Sequence, residues 1–261
     1  MKLTVDGRSV FVSTGGRDFD PALPTVAFLH GAGMDHTVWA LQNRWFAYHG
    51  FGVLAFDLPG HGRSEGAPLD SIGAVADWLT RALSAAGLAQ AAVVGHSMGA
   101  LVALEAAARY PDRVRALGLI GAAAAMPVHA SLLDAARANS ADAISMVTLW
   151  GFGRDAEIGG SRAPGQWMVG GGRRLLERAW PGVLYTDLAA CNDYCNGLVA
   201  AAKVRCPTLL ILGERDRMTP LKAGRELAGQ IGGSRVVVIP DSGHMPMIEH
   251  PDAVLDALRA I

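Results

Sequence analysis

The sequence predicts an α/β fold, in which a mostly parallel sheet is covered by helices. Short apolar runs that are typical of buried strands alternate with helical patterns along residues 25–121 and again along residues 205–261. Strands that are joined by helical crossovers form a parallel sheet buried on both faces. With 261 residues, the chain is long enough for one sizeable hydrophobic core and an inserted module.

The composition narrows the class of protein. Hydrophobic residues make up 51% of the chain and charged residues 18%, which indicates a globular protein. A formal net charge of −1 argues against a nucleic-acid partner and against a large surface that binds anionic membranes. We find neither an apolar run of the roughly 20 residues that a membrane span needs nor a signal peptide. The three cysteines fit a reduced compartment, so we expect a cytoplasmic protein.

The order of elements follows from the pattern. The N-terminus alternates apolar and polar residues around Asp6-Gly7, which predicts a β-hairpin. Further strands are predicted within 25–31, 51–62, 91–96, 115–121, 205–213 and 234–240. Helices are predicted within 36–50, 71–88, from Met98 onward, 221–231 and 251–261.

The strand–helix rhythm stops after Gly121. From Ala122 to Lys203 the pattern is helical and loop-like, without a clear buried strand. We therefore expect residues 1–121 and 204–261 to form the core domain. Residues 122–203 would be a helical insertion that lies over one edge of the sheet as a cap.

A serine occupies the junction between a strand and a helix in "VVGHSMGALVALEAAARYP" (93–111). One tight turn from strand to helix strains the backbone at Ser97 and crowds the positions two before and two after it, which are Gly95 and Gly99. Such a turn holds the hydroxyl at the carboxyl edge of the sheet, where it can act as a nucleophile. The alternative is a serine that only caps the helix.

A serine nucleophile needs a base, and His244 is the best placed of the eight histidines. It lies in "PDSGHMPMIEHP" (240–251), directly after the last predicted strand, so its loop ends at the same sheet edge as Ser97. His61 and His250 look like loop and capping residues, and His96 is expected to point away from the nucleophile. A solvated surface position is the alternative for His244.

A carboxylate should orient the imidazole. Asp216, in "LLILGERDRMTP" (209–220), follows a strongly apolar strand and precedes a helix. Glu214 lies on the same turn and is the second candidate, whereas Asp241 is too close to His244 in the chain. The order serine, aspartate, histidine differs from that of the chymotrypsin and subtilisin types.

An oxyanion formed at Ser97 needs backbone N–H donors. The residue after the serine, Met98, supplies one. The second is expected from Ala32 in "FLHGAGMD" (28–35), where Gly31 and Gly33 let the backbone approach a ligand, Gly31 being assigned to substrate binding. A plain glycine turn is the alternative.

The insertion carries three of the six tryptophans, including Trp150 and Trp167. We expect Trp150 and Trp167 to line an acyl pocket, although packing of the cap onto the core is the alternative for each of them. Residues 151–165 are rich in glycine and polar side chains, which predicts a loop near the entrance.

Five signals together, "HGAG" (30–33), "FDLPGHGRS" (56–64), "GHSMG" (95–99), "GERDRMTP" (213–220) and "SGHMPMIEHP" (242–251), resemble the α/β-hydrolase superfamily. The resemblance covers about 24–121 and 203–261 and implies a mostly parallel eight-stranded sheet with flanking helices and a helical cap. Within the superfamily, this pattern of motifs is similar to that of small bacterial carboxylesterases, enol-lactonases and carbon–carbon bond hydrolases. Many relatives have a further glycine where this chain has Ala100.

The predicted function is a serine hydrolase that cleaves carboxylic esters or lactones through an acyl-enzyme, with the triad Ser97, Asp216 and His244. The partner is a small-molecule substrate, no metal or organic cofactor is expected, and a homodimer is left open. Haloalkane dehalogenases and epoxide hydrolases of the superfamily use an aspartate nucleophile, so Ser97 favours acyl transfer. A carbon–carbon bond hydrolase acting on vinylogous diketones, and a non-catalytic ligand-binding protein, are the alternatives.

Overall fold

The fold is built on one eight-stranded sheet. The computed structural model describes residues 1–160 and 167–261. The strand order across the sheet is β1-β2-β4-β3-β5-β6-β7-β8, with β1 and β2 antiparallel to their neighbours and all other pairs parallel. The strands are β1 Lys2–Val5, β2 Arg8–Ser13, β3 Thr25–Leu29, β4 Gly52–Phe56, β5 Ala91–His96, β6 Val114–Ile120, β7 Thr208–Gly213 and β8 Arg235–Ile239. The predicted fold class is confirmed.

Helices connect the parallel strands and close the chain. Outside residues 122–203 the α-helices are α1 Ala40–Tyr48, α2 Ile72–Ala85, α3 Met98–Arg109, α10 Leu221–Gly229, α11 Pro246–Glu249 and α12 Pro251–Leu258. Two short 3₁₀ helices, His36–Trp39 and Pro111–Arg113, precede α1 and β6. In the described part of the chain, every helix is too short or too polar to cross a bilayer.

Residues 122–160 and 167–203 contain helices as their only regular elements. They are α4 Ala130–Arg137, α5 Ala141–Gly151, α6 Arg154–Glu157, α7 Met168–Glu177, α8 Val183–Asp193 and α9 Gly197–Ala201. The loop predicted over 151–165 includes α6, and its residues 161–165 lie outside the described part of the chain. The division into a core and a cap stays a prediction; below, residues 122–203 are called the inserted segment.

The sheet is buried on both faces, as its apolar strands require. In β3, Ala27 and Leu29 pack into the apolar cluster that includes α2 and α3, whereas Val26 and Phe28 pack into the cluster that includes α1 and α12. Alternate side chains of a strand point to opposite faces, so a strand that is covered twice must be apolar throughout.

The strand order changes direction at β3. The chain moves from β3 to β4 on one side and then to β5 on the other. The connections from β3 and β5 therefore leave in opposite directions, which opens a crevice beyond the carboxyl ends of these two strands. Such switch points are where ligands bind in open α/β sheets. The loops that carry Ala32 and Ser97 start at this crevice.

Candidate active site

Ser97 has the strained backbone that the sequence predicts for a tight strand-to-helix turn. Its φ is 53° and its ψ is −117°, a conformation that side chains rarely adopt. A Cβ at Gly95 would lie 2.0 Å from the carbonyl oxygen of Gly99, and a Cβ at Gly99 would lie 2.5 Å from that of Leu29. A larger residue at Gly95 would therefore force the turn apart, and one at Gly99 would collide with the backbone at the end of β3.

The structure brings Asp216 and His244 together from the loops after β7 and β8. Asp216 Oδ2 lies 2.8 Å from His244 Nδ1, and both side chains are buried. A carboxylate can only accept, so the imidazole proton lies on Nδ1. In the neutral ring, Nε2 then carries the lone pair that a general base needs.

Three further hydrogen bonds hold the Asp216 carboxylate. The hydroxyl of Thr219 donates to Oδ2 (2.6 Å), while the backbone N–H groups of Met218 and Thr219 donate to Oδ1 (both 2.8 Å). Burial by itself raises the pKa of Asp216, but the attraction of His244 and these donors outweighs it, so the pKa is lowered. The carboxylate is thus held ionised behind the imidazole.

The other two acidic residues considered from the sequence lie elsewhere. Glu214 is exposed, and its carboxylate accepts a hydrogen bond from the N–H of Asp241 (3.1 Å). Asp241 has a φ of 59° and forms an ion pair with Arg215. Both residues shape the turn beside the site and do not contact His244.

Ser97 and His244 face one cavity. Both residues line it, and Nε2 of His244 is buried without a hydrogen-bond partner in the described residues. Ser97 Oγ and His244 Nε2 are therefore not hydrogen-bonded to each other here. Such bonds are often long in ligand-free enzymes and shorten when substrate binds.

Backbone N–H donors surround the same position. Met98 is the first residue of α3, so its N–H has no acceptor within the helix, and the positive end of the helix dipole lies there. Ala32 follows β3 and lines the cavity. Within residues 1–160 and 167–261, neither the Met98 nor the Ala32 N–H donates a hydrogen bond. Both groups are thus available to a ligand oxygen.

His96 plays a part that the sequence reasoning missed. Instead of pointing away, it lines the cavity, and its ring lies 4.8 Å from that of His244. Its Nε2 donates to the backbone oxygen of His244 (2.8 Å). Burial, followed by the nearby His244, lowers the pKa of His96 to about 3, so the ring stays neutral. Gly31 packs against this ring, since a Cβ there would lie 2.8 Å from Nδ1 of His96; the cavity itself is not lined by Gly31.

The loop that carries His244 is also tied to the inserted segment. The N–H of His244 donates to the carbonyl oxygen of Gly151 at 2.8 Å. The buried Glu249 carboxylate accepts from the N–H groups of Gly153 (2.8 Å), Gly243 (3.1 Å) and Met245 (3.1 Å). No local sequence signal predicts this contact, because Gly153 and Glu249 are far apart in the chain.

The cavity is large and mostly apolar. Its volume is about 690 Å³, within the range of small-molecule sites. The core contributes Val38, Met245, Met247 and Ile248, and the inserted segment contributes Leu132, Val147, Met168, Leu176, Leu184 and Leu188. In the described part of the lining, Arg217 is the single lysine or arginine, and its guanidinium is bonded to Glu157 and to the carbonyl oxygen of Leu149 (both 2.7 Å).

The tryptophans of the inserted segment differ in position. Trp150 lines the cavity, is half-buried and makes an edge contact with His129. Trp167 also lines the cavity, but 65% of it is exposed. Trp180 is 66% exposed and does not line the cavity. Phe152 and Met168 are buried cavity-lining residues of the same segment.

Comparisons with known proteins agree with this fold. The model of the alpha/beta hydrolase family matches residues 26–257. The chain therefore belongs to the alpha/beta hydrolase family, and the predicted resemblance is confirmed.

Relatives of known name are hydrolases. A pimeloyl-[acyl-carrier protein] methyl ester esterase from Chromobacterium violaceum is 29% identical over 256 residues, which cover 96% of each chain. An (E)-2-((N-methylformamido)methylene)succinate hydrolase from Acinetobacter baylyi is 23% identical and covers 90% of this chain and 89% of its own. The enol-lactonase from Burkholderia xenovorans LB400 superposes with a TM-score of 0.88 at 25% identity, covering 100% of this chain and 98% of the other. The prediction of a carboxylic ester hydrolase is supported by the esterase and the enol-lactonase among them.

Proposed function

We propose that this protein is a serine hydrolase that cleaves carboxylic esters or lactones through an acyl-enzyme on Ser97. The observation that carries the proposal is the shared cavity. A strained serine at a helix start lines the same cavity as His244, whose Nε2 has no partner in the described residues and whose Nδ1 is held by the buried Asp216 carboxylate. The ester-cleaving activities in the names of the esterase and lactonase relatives are consistent with it.

The proposed reaction has two halves, and in each of them His244 acts first as a base and then as an acid. Ser97 Oγ attacks the carbonyl carbon while Nε2 of His244 accepts its proton. The oxyanion that forms accepts hydrogen bonds from the N–H groups of Met98 and Ala32. The imidazolium, stabilised by Asp216, then protonates the leaving alkoxide. Water attacks the acyl-enzyme in the second half, with His244 again as the base, and releases the acid and free Ser97.

The lining indicates the substrate class. An apolar cavity without a free lysine or arginine in its described part favours a neutral acyl group, because a carboxylate would lose its hydration without gaining a partner. A neutral, aliphatic acyl chain fits these walls. We infer that the inserted segment acts as the cap that holds this chain, since it supplies much of the apolar lining.

A matched set of p-nitrophenyl esters tests the proposal. We expect hydrolysis to be faster for butanoate and hexanoate than for acetate. The monoadipate ester, similar in length to the heptanoate ester but anionic, should have a kcat/KM at least about tenfold lower than heptanoate, given the cost of burying a charge. Equal rates for these two would overturn the neutral substrate class.

The nucleophile is tested separately. Ser97→Ala should lower kcat by about 10⁴-fold or more while the fold stays intact. A fluorophosphonate probe should phosphonylate Ser97 with loss of fluoride, so that the wild-type protein gains the mass of the probe less HF, and should leave Ser97→Ala unmodified. Labelling of both proteins, or a tenth of the wild-type rate in the variant, would refute the assignment. A vinylogous diketone assayed alongside the esters separates carbon–carbon cleavage from ester cleavage.

A further inference from the structure

A second buried aspartate–histidine pair connects the inserted segment to the core. Asp187 lies on α8, and His61 lies in the loop after β4. Asp187 Oδ2 is 2.7 Å from His61 Nε2, and both side chains are almost fully buried. The proposed reaction makes no direct use of either residue. Removing the two groups of such a pair from water costs free energy, so a buried pair that stabilises the fold only weakly suggests a further role.

The same carboxylate oxygen also holds the loop of Ala32. The backbone N–H of Gly33 donates to Asp187 Oδ2 at 2.8 Å. Gly33 has a φ of 67°, and a Cβ there would lie 2.9 Å from the Leu184 side chain, so this loop packs directly on α8. Asp187 is therefore the polar group through which α8 holds the backbone next to a proposed oxyanion donor.

His61 is arranged to hold the Asp187 carboxylate in place. Its Nδ1 lies 2.9 Å from the carbonyl oxygen of Pro59, while Nε2 faces the carboxylate. Both ring nitrogens face acceptors, so the imidazolium satisfies both. Burial lowers the pKa of His61, but the charge and hydrogen bond of Asp187 outweigh this and raise it. The neighbouring ring of His30 is neutral, since burial lowers its pKa to about 4.

The two peptide units on either side of Ala32 are thus both held. On one side, the carbonyl oxygen of Gly31 accepts from the N–H of Met34 (3.2 Å) and lies 2.9 Å from Nδ1 of His30. On the other side, the N–H of Gly33 is bonded to Asp187. The N–H of Ala32 points opposite to the Gly31 carbonyl, because the peptide is planar and trans. The direction of the Ala32 N–H therefore depends both on the contacts of the Gly31 carbonyl and on the hydrogen bond from the Gly33 N–H to Asp187.

We propose that Asp187, oriented by His61, is a positioning residue that aims the Ala32 N–H into the oxyanion hole, so that the inserted segment completes the catalytic site. This inference rests on the proposed function, because it requires an oxyanion at that place. Asp187 acts through the peptide of Gly33 and does not contact the substrate.

Two substitutions at one position separate positioning from packing. In Asp187→Ala the Gly33 N–H and the His61 ring lose their partner. We expect kcat on p-nitrophenyl butanoate to fall about 100-fold, the size of effect seen when one oxyanion donor is lost, with KM changed less than about twofold. In Asp187→Asn the amide oxygen, placed where Oδ2 lies, can accept from the Gly33 N–H and from the Nε2–H of a neutral His61, so we expect a loss of only about threefold.

Glu105→Gln is the matched control. Glu105 is a buried carboxylate on α3 that accepts from the Tyr194 hydroxyl (2.7 Å) and from the Asn196 side chain (3.2 Å). It therefore also joins the inserted segment to the core, but away from Ala32. This variant should lower Tm and keep kcat within about twofold of wild type.

Binding of an alkyl trifluoromethyl ketone supplies a readout that packing would not change. This inhibitor adds to the serine hydroxyl and places an oxyanion in the hole, so its Ki should rise in Asp187→Ala by about the factor by which kcat/KM falls. If Asp187→Ala, like the control, loses Tm while kcat and Ki stay at wild-type values, Asp187 only packs and the inference is overturned. If the wild-type protein neither hydrolyses the ester nor reacts with the fluorophosphonate probe, the proposed function fails, and this inference fails with it.

Discussion

Asp216 and His244 are 28 residues apart in the chain, and their buried side chains meet at 2.8 Å. The contact exists because β7 and β8 are parallel neighbours whose carboxyl ends meet at one edge of the sheet. Thr219 reinforces it by donating to the same carboxylate oxygen. The imidazole therefore has one orientation, with Nε2 toward the cavity of Ser97.

Asp216→Asn should lower kcat on p-nitrophenyl butanoate by about 10⁴-fold, because an amide favours the wrong imidazole tautomer. Glu214→Gln is the matched control, since Glu214 lies on the same turn and is exposed without contacting His244. It should cost less than about threefold. A larger loss in Glu214→Gln than in Asp216→Asn would mean that the acidic member of the triad is misassigned.

Gly95→Ala should destabilise the protein by about 3 kcal/mol, the upper part of the usual range for overpacking, because the new Cβ would lie 2.0 Å from the Gly99 carbonyl oxygen. Urea unfolding measures this, and labelling by the fluorophosphonate should slow as the turn at Ser97 distorts. Gly229→Ala, where an added Cβ meets no atom within 4 Å at the end of α10, should not destabilise the protein and should raise the free energy of unfolding by up to about 1 kcal/mol. Equal unfolding midpoints for the two variants would show that the turn does not require glycine.

Trp150→Ala should change the preference for long over short acyl esters by about tenfold, or about 1.4 kcal/mol, because the half-buried ring lines the cavity. Trp167→Ala should change it by only about threefold, since most of that side chain is exposed. Trp180→Ala, an exposed tryptophan that does not line the cavity, is the control and should leave the preference unchanged. A uniform change on all esters would mean that these rings only pack the inserted segment.

The His61–Asp187 pair should make stability depend on pH. The folded-state pKa of His61 is raised above its unfolded value, chiefly by Asp187 acting against burial. Its stabilising contribution is therefore complete below the unfolded pKa of about 6.5 and is lost as pH rises through the folded pKa. Asp57 and His30 also face the ring; their pKa values are lowered, so neither titrates in this window.

Calorimetric Tm values of wild type and Asp187→Asn at pH 5.5 and 8.5 check this dependence. Without the carboxylate, burial dominates and disfavours the imidazolium, so the variant should gain stability over the same pH range. The Tm difference should be largest at pH 5.5 and narrow by a few degrees at pH 8.5. A gap that is constant or widens with pH would show that His61 is not protonated in the folded protein.

Local patterns in the sequence were enough to predict the sheet and the turn at Ser97. They also led to the choice of Asp216 and His244 as the proposed partners of Ser97. Strands buried on both faces must be apolar throughout, and a sharp turn must have glycine on both sides, so both features are written in contiguous residues. Asp216 and His244 could be chosen because each directly follows such a strand. Their pairing then follows from the parallel order of β7 and β8.

The contacts of the inserted segment could not be predicted in the same way. His61 was interpreted as a loop residue, yet it pairs with Asp187, 126 positions later in the chain. His96 was expected to point away from the site, but it binds the backbone of His244.

The sequence by itself therefore determined the fold class, the strand-to-helix turn at Ser97 and the residues chosen as nucleophile, base and acid. Only the tertiary structure decided which helices of the inserted segment line the cavity, which buried charges meet and which backbone groups they bind. The physical reason is that apolar periodicity and glycine crowding act between near neighbours in the chain. A polar contact between helix α8 and the loop of Ala32 depends instead on how separate elements pack.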